Sequence, residues 1–93
     1  MNLPINYKNA SQLERKAARA EYIKVQNGRC CHCGGDLNQK PDPQILEMKV
    51  DRTLFPPNFF KNPIHLHHSH ETDMTIGAVH AYCNAVLWQY FGE

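Results

Sequence analysis

The chain has 93 residues, 42% of them hydrophobic and 20% charged, with a formal net charge of +1. That length holds one domain with a small core, and no apolar run approaches the roughly 20 residues of a membrane span. The opening Met1-Asn2-Leu3-Pro4 has no basic-then-apolar leader, so the expectation is a single small cytoplasmic domain, 1–93, that needs a staple.

Pro4 and Asn9 argue against a helix over 1–10, which reads as an irregular lead. Ser11-Gln12-Leu13-Glu14 fits a capping box, so a basic helix occupies 11–27, ending near Val25 or Gln26 with Gly28 as C-cap. Leu13, Ala17 and Ala20 form its predicted apolar stripe. Arg15, Arg19 and Tyr22 share another face, suited to a backbone phosphate. Up to Arg29, six basic residues stand against two acidic ones, a balance of +4; the remainder has four against seven, −3. This asymmetry suits an N-terminal arm facing phosphate, and equally a solvated basic helix.

Cys30-Cys31-His32-Cys33-Gly34-Gly35 is a tight segment whose glycines permit a chain reversal. Residues 36–44 read as loop, and Ile45–Val50 as a short strand or helical turn. Phe55, Phe59 and Phe60 read as core or rim packing rather than base-stacking groups. Ile64–His68 reads as a strand, Ser69–Met74 as a turn, Thr75–Val79 as a second strand, and Tyr82–Phe91 as a largely buried helix in which Trp88 belongs to the core.

Cys30-x-x-Cys33 and His80-x-x-Cys83 are two ligand pairs with 46 residues between them. Three thiolates and one imidazole suit a tetrahedral structural Zn2+ spanning 30–83. Cys31-x-Cys33 is an alternative register; otherwise Cys31 is a spare thiol, read as a small buried hydrophobe, and His32 is exposed between ligands. A disulfide framework is the weaker reading, because three of the four cysteines are too close together to pair comfortably. His65, His67, His68 and His70 lie within six residues, and Asn84 follows Cys83 directly, where a structural zinc would position it.

His65-Leu66-His67-His68-Ser69-His70-Glu71-Thr72, then Gly77-Ala78-Val79-His80-Ala81-Tyr82-Cys83-Asn84-Ala85, resembles the HNH (His-Me finger, or beta-beta-alpha-metal) nucleases, most of all the recombination endonuclease VII branch of tailed phages. Gln26-x-Gly28-x-Cys30-x-x-Cys33 is similar to that branch's first zinc knuckle. The resemblance spans roughly Tyr22 to Leu87. It implies a small α+β, zinc-stapled beta-beta-alpha-metal fold over 64–91, with the N-terminal helix added, and a metal-dependent DNA endonuclease or nickase. It also implies that His67 and Asn84 hold a catalytic Mg2+ (Mn2+ or Ni2+ being alternatives), that His68 is the general base, and that His70 contacts the scissile phosphate. Cys30, Cys33, His80 and Cys83 would hold zinc. DNA is the implied partner, with a homodimer or an auxiliary protein as further options and an infected bacterial cell as the setting.

The sequence departs from that branch at His67 (commonly Asp), Ile76 (often basic), His80 (usually Cys) and Leu87 (a glutamate in the junction-resolving member). With no carboxylate among the implied ligands, magnesium should bind weakly, and these changes weaken any inference of a junction substrate. Two other classes compete: a zinc-stabilised DNA-binding module without catalysis, and a zinc-folded protein-interaction domain using Trp88, Tyr90 and Phe91.

Overall fold

The computed structural model describes residues 2–93; Met1 of the lead lies outside the described residues. The chain runs α1 (Gln12–Val25), α2 (Pro43–Leu46), two 3-10 turns (Arg52–Leu54 and Phe59–Lys61), β1 (Ile64–His68), β2 (Thr75–His80) and α3 (Ala81–Phe91). Among the described residues no helix is long and apolar enough to cross a membrane.

The expected capping box opens α1. Glu14 N–H donates to Ser11 Oγ at 3.1 Å, and Ser11 N–H donates to Glu14 Oε1 at 3.0 Å. The helix closes in a Schellman motif one residue earlier than the Gly28 cap implies. Asn27 takes the left-handed conformation (φ 57°), its N–H bonding Lys24 C=O, while Gly28 N–H reaches back to Ile23 C=O.

The helix faces the core differently from expectation. Leu13 is 78% exposed and Ala17 and Ala20 are exposed, whereas Ala18 and Tyr22 are buried. The inward positions are Arg15, Ala18, Arg19, Tyr22, Ile23 and Gln26, a regular 3–4 spacing hidden by two arginines. Their aliphatic stems can cover apolar surface while the charged ends stay out of the core, that of Arg15 bonding Tyr7 C=O. Tyr22 is therefore a core residue and not a phosphate contact; its hydroxyl meets Thr75 Oγ1 at 2.9 Å.

The lead is less irregular than its prolines suggest. Ile5 C=O accepts from Thr75 N–H (2.9 Å), Tyr7 N–H donates to Asp73 C=O (2.7 Å), and Asn6 bridges Met74. This laces residues 5–7 along the start of β2 and lays Tyr7 against β1. In the connecting region, Asp42 caps a short helix that Pro43 begins, so the helical turn starts earlier than 45 and no strand forms at 45–50.

Strands β1 and β2 form an antiparallel pair with Ile64 opposite His80, Leu66 opposite Ala78 and His67 opposite Gly77. The register then slips, His68 facing Thr75, so Ile76 is the extra residue of a bulge on β2. Gln26 docks α1 on β2: its Oε1 accepts from Ala78 N–H and its Nε2 donates to Ala78 C=O, both at 2.9 Å. Cys31 N–H also donates to Ala78 C=O. The core gathers Ala18, Tyr22, Leu37, Leu66, Val79 and Cys83. Helix α3 buries Ala85, Val86 and Leu87, but its last turn is open. Trp88 is 42% exposed, against the expectation of a core tryptophan, because it packs edge-on to Phe55 (5.4 Å, 69°) at the rim. Phe55, Phe59 and Phe60 are half-buried and pack on one another.

Candidate metal centre and active-site cleft

The knuckle forms because Cys30 N–H bonds Gly35 C=O (2.7 Å) and Gly34, at φ 76°, turns the chain. The start of α3 then presents His80 and Cys83 across from it. Cys30, Cys33, His80 and Cys83 bring their ligand atoms within 4.8 Å of one another; among the described residues this is the one Cys/His/Asp/Glu group of three or more that does so. Cys30, and not Cys31, supplies the first sulfur, and all four cysteines are free, so no disulfide forms.

The donor set fits zinc. With Zn–S near 2.3 Å and Zn–N near 2.0–2.1 Å, a tetrahedron has S···N edges of about 3.6 Å. His80 Nδ1 lies 3.5 Å from Cys33 Sγ and 3.7 Å from Cys83 Sγ. The Asp36 carbonyl, 2.8 Å from His80 Nε2, can only accept, so that nitrogen carries the hydrogen and Nδ1 keeps a free lone pair. His32 N–H and Gly35 N–H donate to Cys30 and Cys33 sulfurs, both at 3.4 Å, as thiolates require. A hydrogen bond from Cys83 holds the Cys30 thiol down at about 4, while Cys83 is pushed up. Bound Zn2+ would displace the thiol protons that remain in the cluster.

Cys31 is exposed rather than a buried hydrophobe. Its sulfur lies beside Gly77, and burial of the thiol and the Cys30 charge push its pKa up, which suits a non-ligand. His32 is exposed, as expected.

Asn84 sits in the first turn of α3, one residue past Cys83, with the β-strand histidines in front of it. Alternation along β1 gives His65 and His67 a common face; His65 bonds the Asn84 amide, and Asn84 opposes the burial that lowers the His67 pKa. The Phe59 carbonyl lies 2.8 Å from His65 Nε2 and can only accept, so Nε2 carries the hydrogen. His65 Nδ1 then accepts from Asn84 Nδ2 at 3.2 Å. This chain fixes the amide's orientation and leaves Oδ1 for His67 or an ion. The sequence assigned His65 no role, although its position two residues before His67 was the available signal. Burial is the main force lowering the pKa of both imidazoles, so both are neutral bases near pH 7.

His68 is held by its faces. Tyr7 stacks on it at 3.9 Å and 6°, and His70 stacks on the other side at 5.0 Å and 7°. Arg15 closes the column: its guanidinium lies 3.9 Å over the Tyr7 ring and donates twice to Tyr7 C=O (2.9 and 2.7 Å). Arg15 is therefore committed to the lead and not free for phosphate. Burial, then the neighbouring His70 and His67, lower the His68 pKa; Arg15 adds to this and Asp73 opposes it. Among the described residues, neither His68 ring nitrogen has a hydrogen-bond partner in the protein.

His65, His68, His70 and Asn84 line one cleft of about 540 Å3, with Arg19 and Glu93 also on its wall. His67 is 5% exposed and opens on a smaller depression that Glu93 also borders. Of the positions expected from the sequence, His68, His70 and Asn84 share one cleft, whereas His67 lies on the neighbouring depression. Arg19, one of the α1 residues expected to face phosphate, joins them, and Tyr7 and Glu93 join them unforeseen, because only the tertiary fold brings the lead and residue 93 here.

The order β1–β2–α3 beside a Cys3His cluster makes a small α+β domain consistent with a generic zinc-associated beta-beta-alpha-metal, HNH-like fold. No family model matches the chain, and no curated protein or solved structure matches it significantly.

Proposed function

We propose that this chain is a metal-dependent DNA endonuclease or nickase in which His68 is the general base and His67 with Asn84 holds a divalent ion. The observation that carries this reading is the Asn84 amide, anchored by His65 and lining the same cleft as His68, with His67 on the same strand face as His65. An amide oxygen and a neutral imidazole are acceptable donors for Mn2+ or Ni2+ and weak ones for Mg2+, so DNA phosphate oxygens would complete the shell. When bound, such an ion would stabilise charge growing on the phosphate and the leaving 3′ oxygen.

The chain's own residues supply the rest. Stacking between Tyr7 and His70 fixes the plane of the His68 ring and leaves its nitrogen-bearing edge open to water. As the water oxygen bonds to phosphorus, its proton passes to the His68 nitrogen and the P–O3′ bond breaks. His70, exposed at the end of the column, is suited to a phosphate oxygen. The structural zinc would keep α3, and so Asn84, at its distance from β1.

The test is supercoiled plasmid incubated with zinc-loaded protein and Mg2+, Mn2+, Ni2+ or no added ion, beside His68→Ala prepared identically. Open-circle or linear product that needs both the ion and His68 supports the reading. Equal product from His68→Ala, or none under any ion from folded one-zinc protein, overturns it. The exposed aromatic end of α3 favours a second reading, a non-catalytic zinc-folded binding module, which predicts the latter outcome together with retained binding.

A further inference from the structure

The cleft is lined by two kinds of side chain. Its polar lining includes His65, His68, Asn84 and Arg19, and its apolar, largely aromatic lining Leu54, Phe55, Phe59 and Trp88. A 93-residue domain has few large apolar side chains to spend, yet Trp88 and Leu54 remain 42% and 51% exposed here. Phe55 meets Trp88 in a T-shaped contact, at 5.4 Å and 69°, that leaves the tryptophan 42% exposed. At about 540 Å3 the cleft has the size of a small-molecule site, enough for a base with its sugar and too small for a length of duplex.

Resting on the nuclease reading of this site, we propose that the aromatic wall takes an unstacked base of an unpaired DNA strand, so that the chain acts on single-stranded or locally open DNA in preference to continuous duplex. The base stacks on Trp88, and Arg19 pairs with its phosphate beside Asn84. Glu93, the one carboxylate on the wall, keeps the phosphate on the Arg19 side. Charge points the same way. Duplex binding draws its affinity from many neutralised phosphates, and this chain's net charge is only +1, with Arg15 already committed to Tyr7. Stacking on an aromatic ring adds affinity without further cations and without regard to sequence.

Trp88 is the chain's single tryptophan, so its emission reports this cleft alone. The experiment titrates zinc-loaded His68→Ala protein, which leaves the strand intact, with a single-stranded oligonucleotide and with the same sequence as duplex at equal salt. The expected result is saturable quenching by the single strand and affinity at least tenfold above that for duplex. Trp88→Ala should lower single-strand affinity, read by anisotropy of a labelled strand, by fivefold or more, and Trp88→Phe should restore most of it, both variants being checked for one bound zinc. Equal affinity for both DNA forms, or unquenched Trp88 at saturation, overturns the proposal. Cleavage by the wild-type protein is scored separately. Cutting without strand preference or quenching rejects the cleft assignment alone, whereas quenching without cutting rejects the hydrolytic reading and keeps the base-binding one.

Discussion

Gly77 faces His67 across the hairpin, and replacing it with alanine tests how the zinc-bearing half is docked. A Cβ there would stand 2.8 Å from Gln26 Oε1 and 2.9 Å from both Cβ and Sγ of Cys31. The Cys31 backbone is tied to Ala78 and cannot retreat easily, so the strain falls on β2 or on Gln26. Overpacking of this kind costs about 1–3 kcal/mol. Displacing Gln26 also removes its two hydrogen bonds to Ala78, at about 0.5–1.5 kcal/mol each. The expected loss is therefore about 2–6 kcal/mol, a large share of a small domain's stability. Urea denaturation at fixed free zinc reads it, because bound metal contributes to stability by mass action. Gly28→Ala is the control: φ is 74° there but nothing lies within 4 Å, so it should cost only the conformational penalty of about 1–2 kcal/mol. In a Cys31→Gly background the Gly77→Ala loss should shrink. A Gly77→Ala protein within about 0.5 kcal/mol of wild type, or an undiminished loss in that background, would refute this account of the docking.

Three further outcomes are expected. His80→Ala should lower bound zinc from one equivalent toward none, measured by elemental analysis, and abolish the cooperative unfolding transition; zinc uptake by the wild-type apo protein should release protons into a weakly buffered solution. His65→Leu should raise the Mn2+ concentration for half-maximal cleavage by about 10–100-fold while leaving structural zinc at one equivalent, since it removes the partner orienting Asn84; unchanged Mn2+ dependence would show that the Phe59–His65–Asn84 chain is ornamental to the site. The third concerns pH. His68 must be neutral to accept a proton, and burial with the surrounding His70, His67 and Arg15 lowers its pKa below the ordinary 6.5. Cleavage should therefore rise through a point below pH 6.5 and be flat by pH 7; a half-maximal rate at or above pH 7 contradicts this.

Much of the candidate site was legible in the chain order of its residues. Ligand spacing is a local property: a knuckle needs two sulfurs two residues apart and a glycine to turn, and an asparagine one residue past a ligand inherits that ligand's position. The strand–turn–strand–helix run was equally local, since alternation and apolar periodicity act over a few residues. The core face of α1 was not. Its inward positions include Arg15 and Arg19, whose usefulness there depends on Tyr7 and on the cleft wall, both distant in sequence. The exposure of Trp88 was not legible for a related reason: burial of a rim residue depends on what lies opposite, and here that is a T-shaped contact with Phe55.

Residue type and short spacing thus carried the two Cys/His ligand pairs, the N-terminal helix cap and the histidine run with Asn84, while Cys30 over Cys31 was settled only in the folded chain. The tertiary structure alone decided how those groups are aimed. The bulge at Ile76 comes from strand pairing, the stack of Tyr7, His68 and His70 from the lead laced onto β2, and the orientation of Asn84 from a carbonyl at Phe59 reached through His65. Orientation is set by contacts between segments far apart in the chain, and those contacts exist only once the core has closed.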